Sequence, residues 1–140
     1  MTDVLSAIIR HLKTRARDGG AWKLVDGRVY GHQAPVGTAR PYIVLTPFAG
    51  EVLRVFGGRD IELPTVQCDV VADYDHNAAP AWEIVRALAA DLEDGALTLM
   101  NAEHIQTRRA DKTPRVDVAD NVLTISQDWI VQYQVQPHIR

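Results

Sequence analysis

The stretch Thr65-Val66-Gln67-Cys68-Asp69-Val70-Val71-Ala72-Asp73 sets the fold class. Val66, Cys68, Val70 and Ala72 alternate with Thr65, Gln67, Asp69 and Asp73, so a strand of period two presents one apolar face and one wet face. Cys68 lies on the apolar face and reads as a small buried hydrophobe, since no basic or histidine partner stands at a fixed nearby spacing to activate it. The run ends at Tyr74-Asp75-His76-Asn77, where Asn77 is placed to cap a helix and Pro80 falls in its first turn. Trp82, Val85, Leu88, Ala89 and Leu92 then form a helical stripe that Asp94-Gly95 closes. A one-faced strand followed by a one-striped helix calls for a layered α+β unit.

Toward the N-terminus the period is helical. Val4, Leu5, Ile8, Ile9 and Leu12 share one stripe, with Thr2 or Asp3 as N-cap and Gly19-Gly20 beyond the end, which predicts a helix from about Asp3 to about Arg15. Its aliphatic face and acidic Asp3 suit packing on a sheet better than lying on a membrane. Arg28-Val29-Tyr30 reads as a short strand, Gly31 to Gly37 as a loop, and Pro41 to Thr46 as a central strand. Glu51 to Phe56 and the segment from Leu63 onward flank Gly57-Gly58 as a hairpin, with Pro64 asking for more than a two-residue loop.

Toward the C-terminus, strands are expected at about Leu97 to Met100, about Glu103 to Arg109 and about Val122 to Val135. In the last, Leu123, Ile125, Trp129, Val131, Tyr133 and Val135 share one parity, interrupted only by Gln127. At roughly 3.3 Å per residue such a strand is long, so a bend or bulge is expected near Ser126-Gln127. Ala110 to Asn121, polar and punctuated by Pro114, reads as a flexible loop or an extended arm. The resulting order, α-β-β-β-α-β-β-β, predicts an α+β fold: a largely antiparallel (mixed) β-sheet with two α-helices packed on one face.

With 140 residues and 46% hydrophobic content, the chain suits one domain over residues 1–140. A net charge of -3 lacks the basic excess of a protein that grips phosphates, so tight general DNA binding is not expected. One cysteine excludes an intrachain disulfide and a thiolate metal cluster. The N-terminal segment lacks the order of a secretory signal, and no apolar run is long enough to span a bilayer. No membrane partner and no cofactor are expected.

Taken in succession, several segments resemble the phage tail-terminator, or tail-completion, family. They are the N-terminal amphipathic helix, Gly27-Arg28-Val29-Tyr30-Gly31-His32-Gln33-Ala34-Pro35, Arg40-Pro41-Tyr42-Ile43-Val44-Leu45, the alternating Val66 to Val70 strand, the Ala81-Trp82 helix and the terminal Ser126-Gln127-Asp128-Trp129 strand. The resemblance covers nearly the whole chain. It implies a structural virion protein: a homo-oligomer, as a hexameric ring, that stops growth of the tail tube and docks head-completion proteins while DNA passes through its lumen. It also implies assembly in the host cytoplasm and a place at the head-proximal end of the tail.

A cyclic ring needs two different surfaces on each subunit. The polar loops Gly31 to Arg40, Glu51 to Asp60 and Ala110 to Asn121 are the candidates for ring or partner contacts, with His32, Gln33, Arg40, Arg54, Arg59, Asp111, Lys112, Arg115 and Asp117 as the residues expected to make them. A related neck or tail-tube component would share the ring and differ in neighbours. The competing enzymatic reading is a small metal-dependent phosphoesterase built on Asp69, Asp73, Asp75 and His76. Asp73-x-Asp75-His76 matches no metal signature, a capped turn explains the same residues, and GxSxG, GxxxxGK and HExxH are all absent. No catalytic or metal-binding residue is therefore assigned.

Overall fold

The computed structural model describes residues 3–54, 60–110 and 113–135. In chain order the elements are helix α1 (Val4–Thr14), a short helix α2 (Ala21–Leu24), strands β1 (Val29–Gly31), β2 (Tyr42–Leu53) and β3 (Ile61–Asp73), helix α3 (Ala79–Glu93), and strands β4 (Thr98–Leu99), β5 (Ala102–Arg109), β6 (Arg115–Ala119) and β7 (Val122–Val135). They form one seven-stranded sheet in the order β1-β2-β3-β7-β5-β4, with β6 also pairing with β7. Only β1 runs parallel to its neighbour β2; every other pairing is antiparallel. The sheet is thus mixed and largely antiparallel, as its alternating strands predict.

The helix side of the sheet is built from the expected parity. Val66, Cys68, Val70 and Ala72 of β3 are buried, as are Ile43 and Leu45 of β2 and Leu123, Ile125, Trp129, Val131 and Tyr133 of β7. Against them lie Val4, Ala7, Ile8 and Leu12 of α1 and Ala81, Ile84, Ala87, Leu88 and Leu92 of α3. Burying a side chain such as Ile8 or Leu12 is worth roughly 1.5–3 kcal/mol, so these two stripes fix where the helices sit. Asp3 caps α1 by accepting from the Ser6 N–H at 3.1 Å. Hydrogen bonding from Ser6, first through its side chain and then through this N–H, holds the Asp3 carboxyl below its usual range. Cys68 is fully buried, and the loss of water around it raises its thiol well above the ordinary value.

Five expectations are corrected. The buried stripe of α3 runs through Ala81, Ile84, Ala87, Leu88, Asp91 and Leu92, leaving Trp82, Val85 and Ala89 half-buried on its flank. Alanines at 81 and 87 let the helix lie close on the sheet, so the larger side chains move to its side. A third helix, α2, fills the segment between Gly20 and Gly27 and buries Ala21. The separate strands expected around Pro41–Thr46 and from Glu51 are one strand, β2, bent by a bulge between Phe48 and Glu51. No bend occurs at Ser126-Gln127, where β7 stays in register with β3; the irregularity lies across the sheet, between His104 and Gln106 of β5. Finally, the segment after Ala110 is not a plain loop or arm. Arg115–Ala119 is strand β6, and it turns back into β7 through Asp120 and Asn121, both at positive φ (52° and 61°).

The expected hairpin of β2 and β3 is present, with the chain at Gly57-Gly58 lying outside the described residues. Pro64 sits inside β3, where pairing with β7 is interrupted between Glu62↔Tyr133 and Thr65↔Ile130 because proline has no N–H to give. Asn77 accepts from the Ala79 N–H at 3.1 Å just ahead of α3, but the N-cap position itself is Ala78, which makes no side-chain bond, and Pro80 lies inside the first turn.

Candidate interaction edges

Among the described residues, the sheet has two ends that its own strands do not cover. On one side β1 pairs only with Ile43, Val44 and Leu45 of β2, so the outer edge of β2 beyond Leu45 has no strand neighbour among the described residues. On the other side β4 covers only Ala102 and Glu103 of β5, and β6 continues the same row along β7. Apolar side chains are exposed at both ends: Phe48, Val52 and Leu53 on β2, Ile105 on β5, and Val116 and Val118 on β6. Val116 and Val118 stand opposite Ile125 and Leu123, so they extend the helix-side face past the flank of α3. Large apolar side chains held at sheet edges are features that contact a partner or risk aggregation.

The sequence-predicted contact residues divide between these ends. His32 and Gln33 follow β1 and are exposed; the His32 backbone N–H donates to Leu45 O at 2.8 Å, which holds the loop against β2. Arg40 enters β2 and is already engaged, its Nε donating to Asp73 Oδ1 at 2.6 Å. Arg54, at the far end of β2, faces Asp60 at 3.7 Å and is strongly exposed. On the opposite end, Arg115 bonds both carboxylate oxygens of Asp128, at 3.1 and 3.4 Å, while Asp117 is exposed beside it on β6. Arg59, Asp111 and Lys112 lie outside the described residues. His32, Gln33, Arg40 and Arg54 therefore belong to the β1–β2 side and Arg115 and Asp117 to the β5–β6 side. The structure does not gather these side chains into one cluster.

Residues missed by the sequence reading hold the ends in place. Asp91, almost fully buried on α3, accepts from Arg17 Nη2 at 2.7 Å and from the Ala21 N–H at 3.0 Å. Its position on the buried stripe, seven residues after Ile84, was readable as a signal. His11 Nε2 lies 2.8 Å from Asp91 O and 3.0 Å from Asp94 O, and Arg15 pairs with Asp94, so α1 is tied to the end of α3. His104 accepts from the Leu97 N–H through Nδ1 at 3.1 Å, which leaves Nε2 as the donor to Thr107 Oγ1 at 2.8 Å. Its burial lowers its pKa below the ordinary imidazole value, in keeping with that neutral form.

The acidic turn offers no metal geometry. Asp73 is spent on Arg40, His76 packs edge-on to Tyr74 at 6.0 Å, and among the described residues no group of three or more His, Cys, Asp or Glu is placed to hold a metal ion. No helix of the structure is long and apolar enough to cross a membrane.

A family model described as Tail completion protein gp17 matches residues 6–128. The chain belongs to the tail completion protein family. It is accordingly a structural protein of the phage-tail class. Solved structures share the fold of this tail completion protein. A chain of the virion of a native gene transfer agent particle superposes with a TM-score of 0.70 at 16% identity, over 94% of each chain. A second solved chain gives a TM-score of 0.58 at 15% identity, over 98% of this chain and 99% of the other. No curated protein matches it. At such identities the likeness carries the fold, while family membership rests on the match over residues 6–128.

Proposed function

We propose that this tail completion protein is the subunit of a closed ring, of six copies, that caps the tail tube, halts its growth and gives head-completion proteins a face to dock on. The observation that carries this reading is the placement of uncovered, apolar-bearing strand edges on opposite sides of one sheet. A closed ring joins unlike surfaces of successive copies, and two edges facing away from each other supply such a pair. The likeness to a chain of a gene transfer agent virion supports a role inside a particle. A net charge of -3 suits a lumen through which DNA slides without its phosphates being held. The protein acts by shape and contact, not by catalysis, and its place is the head-proximal end of the tail after assembly in the host cytoplasm.

The proposal is checked on growing tubes. Purified tail-tube subunits polymerised alone should form tubes of spread length, and adding this protein should cap their ends, seen in negative stain, and narrow the length distribution. Tubes that lengthen equally with and without it, with no density at either end, would defeat the capping role.

A further inference from the structure

The two uncovered edges match each other in height, direction and length. Complete rows of paired residues cross the sheet from β2 to β5, and two of them bound the matching edges: Val52–Glu62–Tyr133–His104 and Pro47–Val66–Trp129–Arg109. The outer edge of β2 from Pro47 to Val52 therefore lies level with the outer edge of β5 from His104 to Arg109. Between the two rows β3 and β7 each advance four residues, 62 to 66 and 129 to 133. Over the same span β2 advances five, from 47 to 52, and β5 also five, from 104 to 109, because each edge strand carries one bulge. The extra residue that puts either strand out of step with the sheet interior gives the two edges the same residue count over this span.

Direction agrees as well. Three antiparallel steps separate β2 from β5, so the two edges run oppositely, and a neighbouring copy related by rotation about an axis near the strand direction presents its β2 antiparallel to β5. The backbone of Ile43 and Leu45 points outward, toward Arg28 and His32, and alternation puts Pro47 on that same outer side. There proline can accept a bond from the next strand and has no N–H left over. Charge is complementary on the helix-free face: Glu51 stands on the β2 edge and Arg108 on β5, both exposed. No lysine guards either edge in the way that keeps isolated sheets apart. The bulges add local bend and twist, which curve a joined sheet toward closure.

From this match we infer that neighbouring copies join edge to edge, the Pro47–Val52 edge of β2 in one copy adding antiparallel to the His104–Arg109 edge of β5 in the next. Each sheet then runs on into its neighbour's. The occupant of each edge is a second copy of this chain, and the inference rests on the ring reading above.

Cysteine pairs test it. Glu51, Glu103, Gln106 and Arg108 all point to the helix-free face, through their pairings with Leu63, Gln134, Gln132 and Ile130, and all four are exposed. Within one copy β2 and β5 are three strand spacings apart, roughly 14 Å, too far for a disulfide. Cys68 is buried and stays silent. The double variants pairing Glu51→Cys with Glu103→Cys, Gln106→Cys or Arg108→Cys are oxidised on capped tube ends and run on denaturing gels beside the single variants. The expected result is a ladder of covalent multimers up to the full ring in at least one double variant, and no ladder beyond dimer in the singles. Rings visible in stain for all three double variants without any ladder would overturn the edge pairing while leaving the ring intact. Absence of rings for the wild type, at any concentration and on tubes, would overturn both.

Discussion

Gly50→Ala is expected to open the far half of the β2–β3 hairpin and to lower stability by about 2–4 kcal/mol, among the larger effects a single methyl can have. A Cβ at this position would stand 1.8 Å from Leu63 O and 2.7 Å from Pro64 Cα, both backbone atoms that cannot swing aside. Gly50 lies in the bulge between Phe48 and Glu51, where the two strands approach more closely than any side chain allows. Relief requires separating Glu51, Val52 and Leu53 from Leu63, Glu62 and Ile61. Because these residues form the proposed contact edge, the variant should lose ring assembly more completely than it loses folding. Urea denaturation gives the first quantity and light scattering the second; a variant with wild-type values of both would mean that the bulge is misplaced.

Asp91→Ala should cost about 3 kcal/mol. The substitution removes the acceptor for the buried Ala21 N–H and strands Arg17, whose guanidinium is half-exposed and recovers part of its loss from water. Asp91→Asn keeps an oxygen for Ala21 and gives up the ion pair, so its cost should be about half as large. The difference separates the contribution of the charge from that of the hydrogen bond. Unfolding midpoints in urea, taken at unchanged m-value, provide the comparison. An alanine variant within about 0.5 kcal/mol of wild type would show that the buried carboxylate does not hold α2 to α3.

The fold was legible where burial is one-sided over a long run. β3 and β7 bury one parity along most of their lengths, so alternation in Val66 to Ala72 and in Leu123 to Val135 marked both strands and the face on which the helices lie. Gln127 shares that parity and is buried despite its amide, which is why its expected bend is absent. α2 went unread because four residues between glycines carry less than two turns of periodic signal. β6 is different. Arg115-Val116-Asp117-Val118 alternates and Asp120-Asn121 is a turn pair, yet Pro114 and the surrounding charges outweighed a signal of only five residues.

The candidate contacts were legible as segments, since turn residues and charge mark the loops at 31–40, 51–60 and 110–121. Their side-chain roles were not. Arg40 and Asp73 are 33 positions apart in sequence, and only the pairing of β2 with β3 brings them within 2.6 Å. Nor does any local pattern reveal that β2 and β5 each take up one extra residue within the same span of the sheet, because that equality depends on the registers of three successive strand pairs.

Assembly state decides the account. Native mass spectrometry of the purified wild-type protein over a rising concentration series, paired with negative-stain images of tail-tube ends, should show monomer giving way to a closed six-copy species and a ring of that size seated on the tube. A stable dimer at every concentration, with bare tube ends, would contradict it.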